Sequence, residues 1–531
     1  MSNLTGAHLV ARCLKLEGVE KIFTLVGDHI LPLVEALYNE GFHIVDTRHE
    51  SAAVHMADAW ARVTGRPGVV LVTGGPGHAN AIPGLTVSYT TETPVIFLSG
   101  FPPLAQKGMP AFQEIPQVEM AAPITKGAWM VPDARRVPEF VANAFRLATA
   151  GRPGPTHLTI PIDVQEKTVG EEDLPHYQPW EYRPSLGPLA HPELVRQAVA
   201  LLHQAQRPVV IVGGPARFQL SGELLQRFVE ATRLPVFTVE LARGMVSDDH
   251  PLCFGYADTS LNGAAKLFSQ ADAVLLLGKS LDSRISFGRV FPPQARIIQV
   301  DPSPAEVGRN RGVAVGMVGH IGAVVEQLAQ EAAARRWKEK PWLAELRKAR
   351  QDWQEKIRAN ATDDLPMHAI RLYSEVEPFL DEDTFIVFDG GDFVQWGRSY
   401  LKARKEGHWL RLGPLAHLGA GLPFALTCRL VDPRAKVFLF TGDGSIGFYL
   451  AEFDTAVRHR LPFVTIMGND TVWGIDRQYQ IAYYGKSVGT DLRWTRYDKV
   501  VEALDGHGEL AERPEEVRPA VERALASGKP S

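Results

Sequence analysis

Short runs of aliphatic and β-branched residues alternate with helical patterns along the first part of the chain. This alternation predicts parallel strands joined by helices that cover the faces of a sheet. We therefore predict a first domain over residues 1–165. Its strand-like runs are IFTLVG, HIVDTRHE, GVVLVTGG, PVIFLSG and THLTIPID.

The same pattern returns twice further along the chain. A stretch with four prolines and many charges, but no sustained periodicity, predicts a linker over 166–190. A second series of strand-like runs predicts a central domain over 191–335, and a highly charged helical pattern predicts a helical linker over 336–365. A third series predicts a C-terminal domain over 366–531. The predicted fold class is α/β, with three doubly wound parallel-sheet domains.

Composition and charge exclude several classes of function. The chain has 531 residues, too many for one core, and its 45% apolar content is ordinary for a globular protein. The net charge of −5 comes without the basic excess that nucleic-acid binding needs. Apolar runs such as AVLLLG are far shorter than the roughly 18 residues of a membrane span, and the N-terminus lacks the pattern of a signal peptide. We predict a soluble protein that binds neither nucleic acid nor a membrane.

Cysteine usage indicates the compartment. The chain has three cysteines at wide separations, Cys13, Cys253 and Cys428. An odd number at such spacing argues against a disulfide framework and against a cysteine zinc site. This usage fits a reducing environment, and we predict a cytoplasmic protein.

The segment GDGSIGFYLAEF, which starts at Gly442, follows a buried strand and opens a helix. Glycines let the backbone approach phosphate oxygens, a helix N-terminus supplies N–H donors, and Asp443 adds a hard carboxylate ligand for Mg²⁺. A lone GDG is more often a plain turn between a strand and a helix. A second strand that ends at Asp470 favours metal binding instead, because the two carboxylates would meet at the ends of adjacent parallel strands.

These two strand ends resemble the thiamine diphosphate enzyme family that contains acetolactate synthase, benzaldehyde lyase, 2-hydroxyacyl-CoA lyase and oxalyl-CoA decarboxylase. In that family a GDG motif is followed by a carboxamide or carboxylate ligand, and a carbonyl two residues later completes the metal shell. The resemblance implies that Asp443, Asp470 and the carbonyl of Val472 bind Mg²⁺. Most members carry Asn where this chain has Asp470, so the site is one negative charge richer here.

The resemblance also assigns a role to Glu50. Thiamine diphosphate acts after its thiazolium C2 loses a proton, and the resulting ylid attacks a carbonyl. In the family a glutamate at a strand end favours the pyrimidine tautomer that takes this proton, and RHESAAVHMADAWAR resembles the family segment that carries it. By itself, Glu50 is more simply a helix-start carboxylate paired with Arg48. The family pairs the first domain of one subunit with the third of another, which implies a homodimer at least and commonly a homotetramer.

Three further features of the first domain match the family. TGGPGHANAIPGL is a glycine-rich turn into a helix, either a plain βα loop or a cofactor contact through Gly75 and Asn80. His29 falls where benzaldehyde lyase has a histidine in its catalytic pocket, although a lone loop histidine is usually just solvated. Gln113, in AFQEIPQ, matches a glutamine of several members and can orient a hydroxyl without changing charge. Histidine suits proton transfer near neutral pH.

Two segments of the third domain, FDGGDFVQW and LGPLAHLGAGLPFA, resemble the cofactor loops of the family. Leu418 takes the place of the apolar residue that wedges between the two rings of the cofactor, with an ordinary core leucine as the alternative. TVWGIDRQYQ would lie beside the substrate, shaped by Trp473, Ile475 and Tyr479. The predicted cofactor-binding residues of this domain are Gly390, Gly391, Ala416, His417, Leu418, Gly442, Asp443, Gly444, Ser445, Asp470, Val472, Trp473, Gly474 and Ile475.

The resemblance extends through the central domain, in LLLGKSLDSRISFG and QVDPSPAEVGR. Relatives bind FAD or ADP there, and Asp301 could face a ribose. The matching loop is no glycine-rich fingerprint, so a purely structural central domain is the alternative and we do not predict a nucleotide. In family members the chain continues through a final strand and a tail that often closes the active site, whereas this sequence ends at ALASGKPS.

The reaction class is narrowed by what the pocket segments contain. Simple decarboxylases of the family use a His-His pair or a histidine after the third strand, where this chain reads PAFQEIPQ and VTGGPG. This favours a lyase or carboligase that acts on a small carbonyl or 2-hydroxyacyl compound through an enamine. Acetolactate synthase is the second interpretation, although its biosynthetic form usually has Trp where Tyr479 stands. The third is a non-catalytic thiamine- or nucleotide-binding protein, which would gain nothing from Glu50.

Overall fold

The computed structural model describes residues 4–176, 178–183 and 187–531. Residues 177 and 184–186 of the predicted linker lie outside the described residues. Three separate sheets, each with parallel strands joined by helices, confirm the predicted α/β class. Within the described ranges, no helix is both long and apolar enough to cross a membrane.

The first sheet has six strands in the order β2-β1-β3-β4-β6-β5. Its strands are β1 Lys21–Leu25, β2 His43–Asp46, β3 Gly68–Val72, β4 Val95–Phe101, β5 Ala128–Met130 and β6 Thr156–Pro161. Its helices are α1 Gly6–Leu16, α2 Leu31–Asn39, α3 Glu50–Thr64, α4 Pro76–Thr91, α5 Gln117–Ala121, α6 Val137–Thr149, α7 Ile162–Glu166 and α8 Pro179–Tyr182. Strand β5 was absent from the sequence pattern because it is a three-residue edge strand that is only half buried.

The second sheet has the order β12-β11-β10-β7-β8-β9. Its strands are β7 Pro208–Val212, β8 Val236–Thr238, β9 Cys253–Tyr256, β10 Ala273–Leu277, β11 Arg296–Asp301 and β12 Val315–Val318. The helices are α9 Pro192–Gln204, α10 Gly222–Thr232 and α11 Ile321–Ala333, followed by the charged helix α12 Trp342–Arg358. The first turns of α12 bury Trp342, Leu343 and Leu346 in the core of this domain. The helix buries Ile357 again near its end, and the charged residues between these contacts are mostly exposed.

The third sheet has the order β14-β13-β15-β16. Its strands are β13 Phe385–Phe388, β14 Trp409–Arg411, β15 Val437–Gly442 and β16 Val464–Gly468. Its helices are α13 Ala369–Val376, α14 Asp392–Tyr400, α15 Gly421–Val431, α16 Asp443–Ile446, α17 Glu452–Arg458, α18 Gly474–Tyr484, α19 Tyr497–Ala503 and α20 Pro514–Ser527. Strands β15 and β16 are neighbours and pair Gly442 with Gly468, so the loops that follow them start side by side.

The first and third domains share one hydrophobic core, in which α3 packs against α15. Arg62 of α3 is buried at this contact, where it pairs with Asp58 and lies 4.7 Å from the ring of Phe424. Its Nη1 donates to the carbonyl oxygen of Arg411 at 2.5 Å. Loss of either partner would leave a buried charge without compensation, so this contact requires the two domains to stay in the arrangement that their shared apolar core sets.

Candidate active site

Four predicted residues of the first domain follow four strands of the first sheet, at the carboxyl edge where open parallel sheets bind ligands. His29 follows β1, Glu50 follows β2, Gly75 follows β3 and Gln113 follows β4. Gly75 has a φ of 60°, and a Cβ at this position would lie 2.5 Å from the carbonyl oxygen of Gln113. Only glycine allows this close approach of the two loops.

Glu50 begins α3, and one oxygen of its carboxylate is fixed by a hydrogen bond. It is 7% exposed, and its Oε2 accepts a hydrogen bond from Nδ2 of Asn80 at 3.1 Å. The Arg48 guanidinium lies 3.8 Å from Asp454 in the third domain. Glu50 is therefore an oriented carboxylate fixed by the glycine-rich segment, rather than one whose geometry is explained by an ion pair with Arg48.

His29 lies in a short 3₁₀ turn, and both its backbone N–H and its carbonyl make hydrogen bonds. The N–H donates to Oγ1 of Thr73 at 3.3 Å, and the carbonyl accepts from Nε2 of Gln165 at 2.7 Å. Ring atom Nδ1 is buried without a hydrogen-bond partner. Burial lowers the pKa of His29, while Asp28 and a hydrogen bond with Gln113 oppose this effect. The ring is therefore neutral near pH 7.

Gln117 belongs to this cluster and was missed by the sequence reasoning. Its buried side chain accepts a hydrogen bond from the N–H of Gly75 at 3.0 Å and donates to Oγ of Ser99 and the carbonyl of Gly100, at 2.8 and 3.0 Å. It thereby fixes the turn that faces Gln113. A second glutamine in AFQEIPQ carries no pattern that separates it from a solvated loop residue.

The third domain contains a cavity of about 1460 Å³ at the carboxyl ends of its strands. Predicted residues from all four loops line it: Gly390, Gly391, Ala416, Leu418, Gly442, Asp443, Gly444, Ser445, Asp470, Val472, Trp473, Gly474 and Ile475. His417 does not line it, because its ring packs against His55 and Tyr449 instead. Tyr479 is also outside the lining and is exposed on α18.

Asp443 and Asp470 lie close together at the edge of this cavity. Burial and the charge of Asp470 raise the pKa of Asp443 to about 6, and burial also raises the pKa of Asp470. Oδ2 of Asp443 is buried without a partner. No group of three or more His, Cys, Asp or Glu side chains in the described ranges is arranged for a metal. A cation here would depend on these two carboxylates and on a backbone carbonyl such as that of Val472.

Asp389 joins the two loops that resemble cofactor loops of the family, and the sequence reasoning missed this residue too. Its buried carboxylate accepts hydrogen bonds from the N–H groups of Gly390, Gly419 and Gly421 at 2.8, 2.9 and 3.1 Å. Burial raises its pKa to about 6 despite these bonds. A Cβ on Gly390 would lie 2.0 Å from Cδ2 of Leu418, so the two loops are in direct contact. The position of Leu418 therefore depends on a carboxylate beneath it.

The two groups of candidate residues face different spaces in one chain. None of His29, Glu50, Gly75, Asn80 and Gln113 lines the cavity of the third domain. The shared core holds the first and third domains in this relation. One chain thus presents two candidate half-sites, one at the edge of each sheet, and they do not adjoin within the chain.

Asp301 of the central domain is bound to protein groups. Asp301 is fully buried, and its carboxylate is bound by Arg152 of the first domain at 2.7 and 3.0 Å and by the N–H of Ser303 at 2.9 Å. The crevice beside it encloses about 90 Å³. Ligand pockets usually measure about 300–1,000 Å³. The Asp301 carboxylate is therefore engaged by protein groups and does not face open space as a ribose ligand would.

Comparison with known proteins follows this division of the chain. Family models for the thiamine pyrophosphate enzymes match residues 4–120 as the N-terminal TPP binding domain, 195–328 as the central domain and 389–531 as the C-terminal TPP binding domain. A probable acetolactate synthase of Mycobacterium bovis is 34% identical over 528 residues, which cover 99% of this chain and 94% of that protein. The chain belongs to the thiamine pyrophosphate enzyme family.

Relatives of this thiamine pyrophosphate enzyme differ in the activity that their names give. The 2-hydroxyacyl-CoA lyase 2 of Bos taurus is 33% identical over 549 residues, which cover 96% of this chain and 86% of the relative. A probable acetolactate synthase large subunit of Methanocaldococcus jannaschii is 31% identical over 550 residues, with coverage of 99% and 91%. The protein is therefore an enzyme that depends on thiamine diphosphate, the other name of this cofactor. Identity at this level leaves lyase and synthase unresolved.

The raised pKa of Asp443 predicts how the thermal stability of this thiamine pyrophosphate enzyme depends on pH when no metal is bound. We expect Asp443→Asn to raise the Tm in EDTA at pH 7.5 by roughly 1–3 °C. The pKa of about 6 in the folded protein lies above the ordinary value, so stability is lost as pH rises through about 6. The gain should vanish below about pH 4, near the pKa of an unperturbed aspartate.

The control is Asp352→Asn, an exposed carboxylate change on α12 that should leave Tm unaltered at both pH values. Thermal unfolding followed by circular dichroism gives the Tm of each variant at both pH values. An Asp443→Asn protein that is less stable than wild type at pH 7.5 would contradict the assignment of unfavourable ionisation.

Proposed function

We propose that this enzyme is a Mg²⁺-dependent lyase and carboligase that cleaves and forms the carbon–carbon bond beside the carbonyl of 2-hydroxy-carbonyl compounds. The observation that carries the proposal is His29, an almost buried histidine with an unpartnered Nδ1 beside the uncharged Gln113. A neutral imidazole in this setting can take the proton of a substrate hydroxyl and return it. Gln113 can orient that hydroxyl without adding charge.

Other histidines near this half-site are poor candidates for that proton. His78 is fully buried, stacks on Phe97 and has a pKa lowered by burial to about 4. His157 is also fully buried and hydrogen-bonded to Thr159. Both rings are packed inside the domain, so His29 is the best candidate of these three histidines for that proton.

The third domain fits a diphosphate with a divalent cation. The orphaned Oδ2 of Asp443 and the adjacent Asp470 provide charge for Mg²⁺, and their unfavourable ionisation would be relieved by the cation. A Cβ on Gly391 would meet only open space, and one on Gly442 would meet only a carbonyl at 4.0 Å, so both leave room for ligand oxygens. Bound here, thiamine diphosphate supplies an acidic C2–H group and an electron sink for bond cleavage.

Glu50 is the residue proposed to assist removal of that proton. Asn80 fixes one of its oxygens and the turn into α3 sets its direction. A carboxylate oriented in this way can hydrogen-bond a pyrimidine nitrogen and favour the tautomer that accepts the proton. A non-catalytic binding protein would have no use for this arrangement.

We further propose that the smallest active unit is a homodimer, and that the enzyme forms the tetramer that is usual in the family. Glu50 and the diphosphate cavity belong to separate half-sites in one chain, so a second copy must complete each site. Large apolar side chains are exposed on both halves, including Phe112 on the first domain and Tyr483 and Tyr484 on α18, which buries none of its residues. Exposed apolar surface of this kind marks an interface.

Acetolactate synthase is the second candidate, and the Mycobacterium bovis relative at 34% identity favours it. Both reactions start from the same activated cofactor and differ in the substrate that reaches it. The cytoplasm remains our proposal for the location, since Cys13, Cys253 and Cys428 are free and buried thiols.

We expect removal of the metal to release the cofactor. Exhaustive EDTA treatment should abolish activity, and Mg²⁺ with thiamine diphosphate should restore it. Asp443→Ala should have the same effect as EDTA because the cation loses a charged ligand. Asp470→Asn should be mild, since an amide oxygen still ligates. Calorimetric titration of cofactor measures the affinity, and full activity after verified metal removal would refute the assignment.

Glu50→Gln should lower turnover by about 10²–10⁴-fold, the range for loss of acid–base assistance. The amide keeps the shape of the side chain but cannot drive the tautomer shift. Cofactor affinity, measured by calorimetry, should stay close to that of wild type because the diphosphate half-site is untouched. Wild-type turnover in this variant would exclude the proposed role.

Substrate assays separate the two candidate reactions. Purified enzyme with Mg²⁺ and cofactor should cleave benzoin or a 2-hydroxyacyl-CoA, and His29→Ala should slow this cleavage more than it weakens cofactor binding. Product aldehyde or acyl compound is followed by chromatography. Rapid formation of acetolactate from pyruvate, with no cleavage of any 2-hydroxy-carbonyl compound tested, would establish the second candidate instead.

A further inference from the structure

The segment that continues from the GDG motif reaches back to the turn that carries Glu50. Glu452, the first residue of α17, is almost fully buried. Its Oε1 and Oε2 lie 3.1 and 3.2 Å from the backbone nitrogen of Arg48, which donates to this carboxylate. The hydroxyl of Thr455 donates to Oε2 at 2.6 Å. The N–H of His49 lies near enough to the same carboxylate to favour its ionised form.

Tyr449, from the same segment, contacts the other side of the turn that precedes α3. The ring of Tyr449 lies 5.7 Å from that of His49, and its hydroxyl lies close to the side chain of Ser51. Nδ1 of His49 in turn accepts from the N–H of Ser51 at 3.1 Å, as the N-cap of α3. Glu50 therefore lies between residues that the third domain holds from both sides.

Burial of the Glu452 carboxylate carries a free-energy cost that its hydrogen bonds offset only in part. Burial raises its pKa, although the two backbone amides and Thr455 favour the ionised form. The amides before a helix have no partners within the helix, and a carboxylate that accepts from them fixes the direction of the chain as it enters the helix. Since Glu50 is the next residue, its direction depends on this bond.

We propose that Glu452 is a positioning residue that sets the orientation of Glu50 from the third domain. The inference rests on the proposed function of Glu50. It adds a link between sites: in a dimer, the chain segment that follows one diphosphate motif would aim the glutamate that serves the other cofactor. Glu452 touches neither cofactor nor substrate and would act through the backbone alone.

The experiment compares Glu452→Gln with Glu50→Gln and with the double variant. In Glu452→Gln the new side chain keeps one acceptor oxygen but presents an NH₂ group to the amides, so the turn should loosen. The matched control is Asp454→Asn, which removes a carboxylate from the same helix that touches only side chains, those of Arg48 and Arg458. Thr455→Val is a milder variant, because it removes one donor to Glu452 and keeps the carboxylate.

The first measurement uses the protein without cofactor. Hydrogen–deuterium exchange resolved to residues 48–51 should show faster exchange in Glu452→Gln and, to a smaller extent, in Thr455→Val, with no change in Asp454→Asn. Peptides from α15 should keep their protection, which separates loosening of this turn from loosening of the shared core. Unchanged exchange at residues 48 and 49 would overturn the proposal.

The second measurement follows deuterium exchange at C2 of bound thiamine diphosphate by NMR, which needs no substrate. Glu452→Gln should slow it by about tenfold with cofactor affinity within about threefold of wild type, and the double variant should be no slower than Glu50→Gln. Additive effects, or slowing that follows weaker cofactor binding, would show a merely structural role. If wild type does not bind the cofactor, or Glu50→Gln exchanges at the wild-type rate, the proposed function fails instead.

Discussion

The packing of α3 against α15 is the contact on which the rest of the structure depends. It merges the cores of the first and third domains and buries Arg62, whose charge is satisfied by Asp58 and by a carbonyl of the third domain. An arginine without these partners would cost several kcal/mol in such a place. The two domains therefore hold one relative position, and both edges that carry candidate residues are fixed with them.

One consequence is that each chain carries two half-sites that do not close on each other. The first presents Glu50 and His29, and the second presents Asp443 and Asp470 beside a large cavity. A shared core between them prevents closure within the chain, which is why we propose that a second copy completes each site. The exposed aromatic residues on α18 provide the apolar surface that such an association needs.

Another consequence concerns buried carboxylates. Asp389 and Glu452 are both removed from water, and backbone N–H groups of glycine-rich or helix-start turns are their main partners. Each joins two segments that are far apart in sequence. Burial raises the pKa of Asp389 and that of Glu452, so the ionised form of each carboxylate is disfavoured where it lies. Asp443 differs from these two residues. Its ionised form is disfavoured both by burial and by the charge of Asp470, and a bound cation would offset both effects.

Local pattern was enough to predict the α/β class and the residues that follow each strand, because side-chain periodicity and glycine at strand ends are encoded within short windows. The GDG segment and Asp470 could be placed together because parallel strands end at one edge. The roles of Glu50, His29 and Gln113 came from resemblance, and they stay predictions. Strand β5 and the functions of Gln117, Asp389 and Glu452 had no local signal.

What the sequence determined by itself is thus the set of strand ends and the chemistry available at them. Only the tertiary structure decided which ends share a space. It placed His417 against His55 and not in the cavity, bound Asp301 to Arg152, and tied Glu452 to the turn before Glu50. The physical reason is that these contacts join segments up to 404 residues apart. Burial and hydrogen-bond geometry select such partners only after the cores have packed.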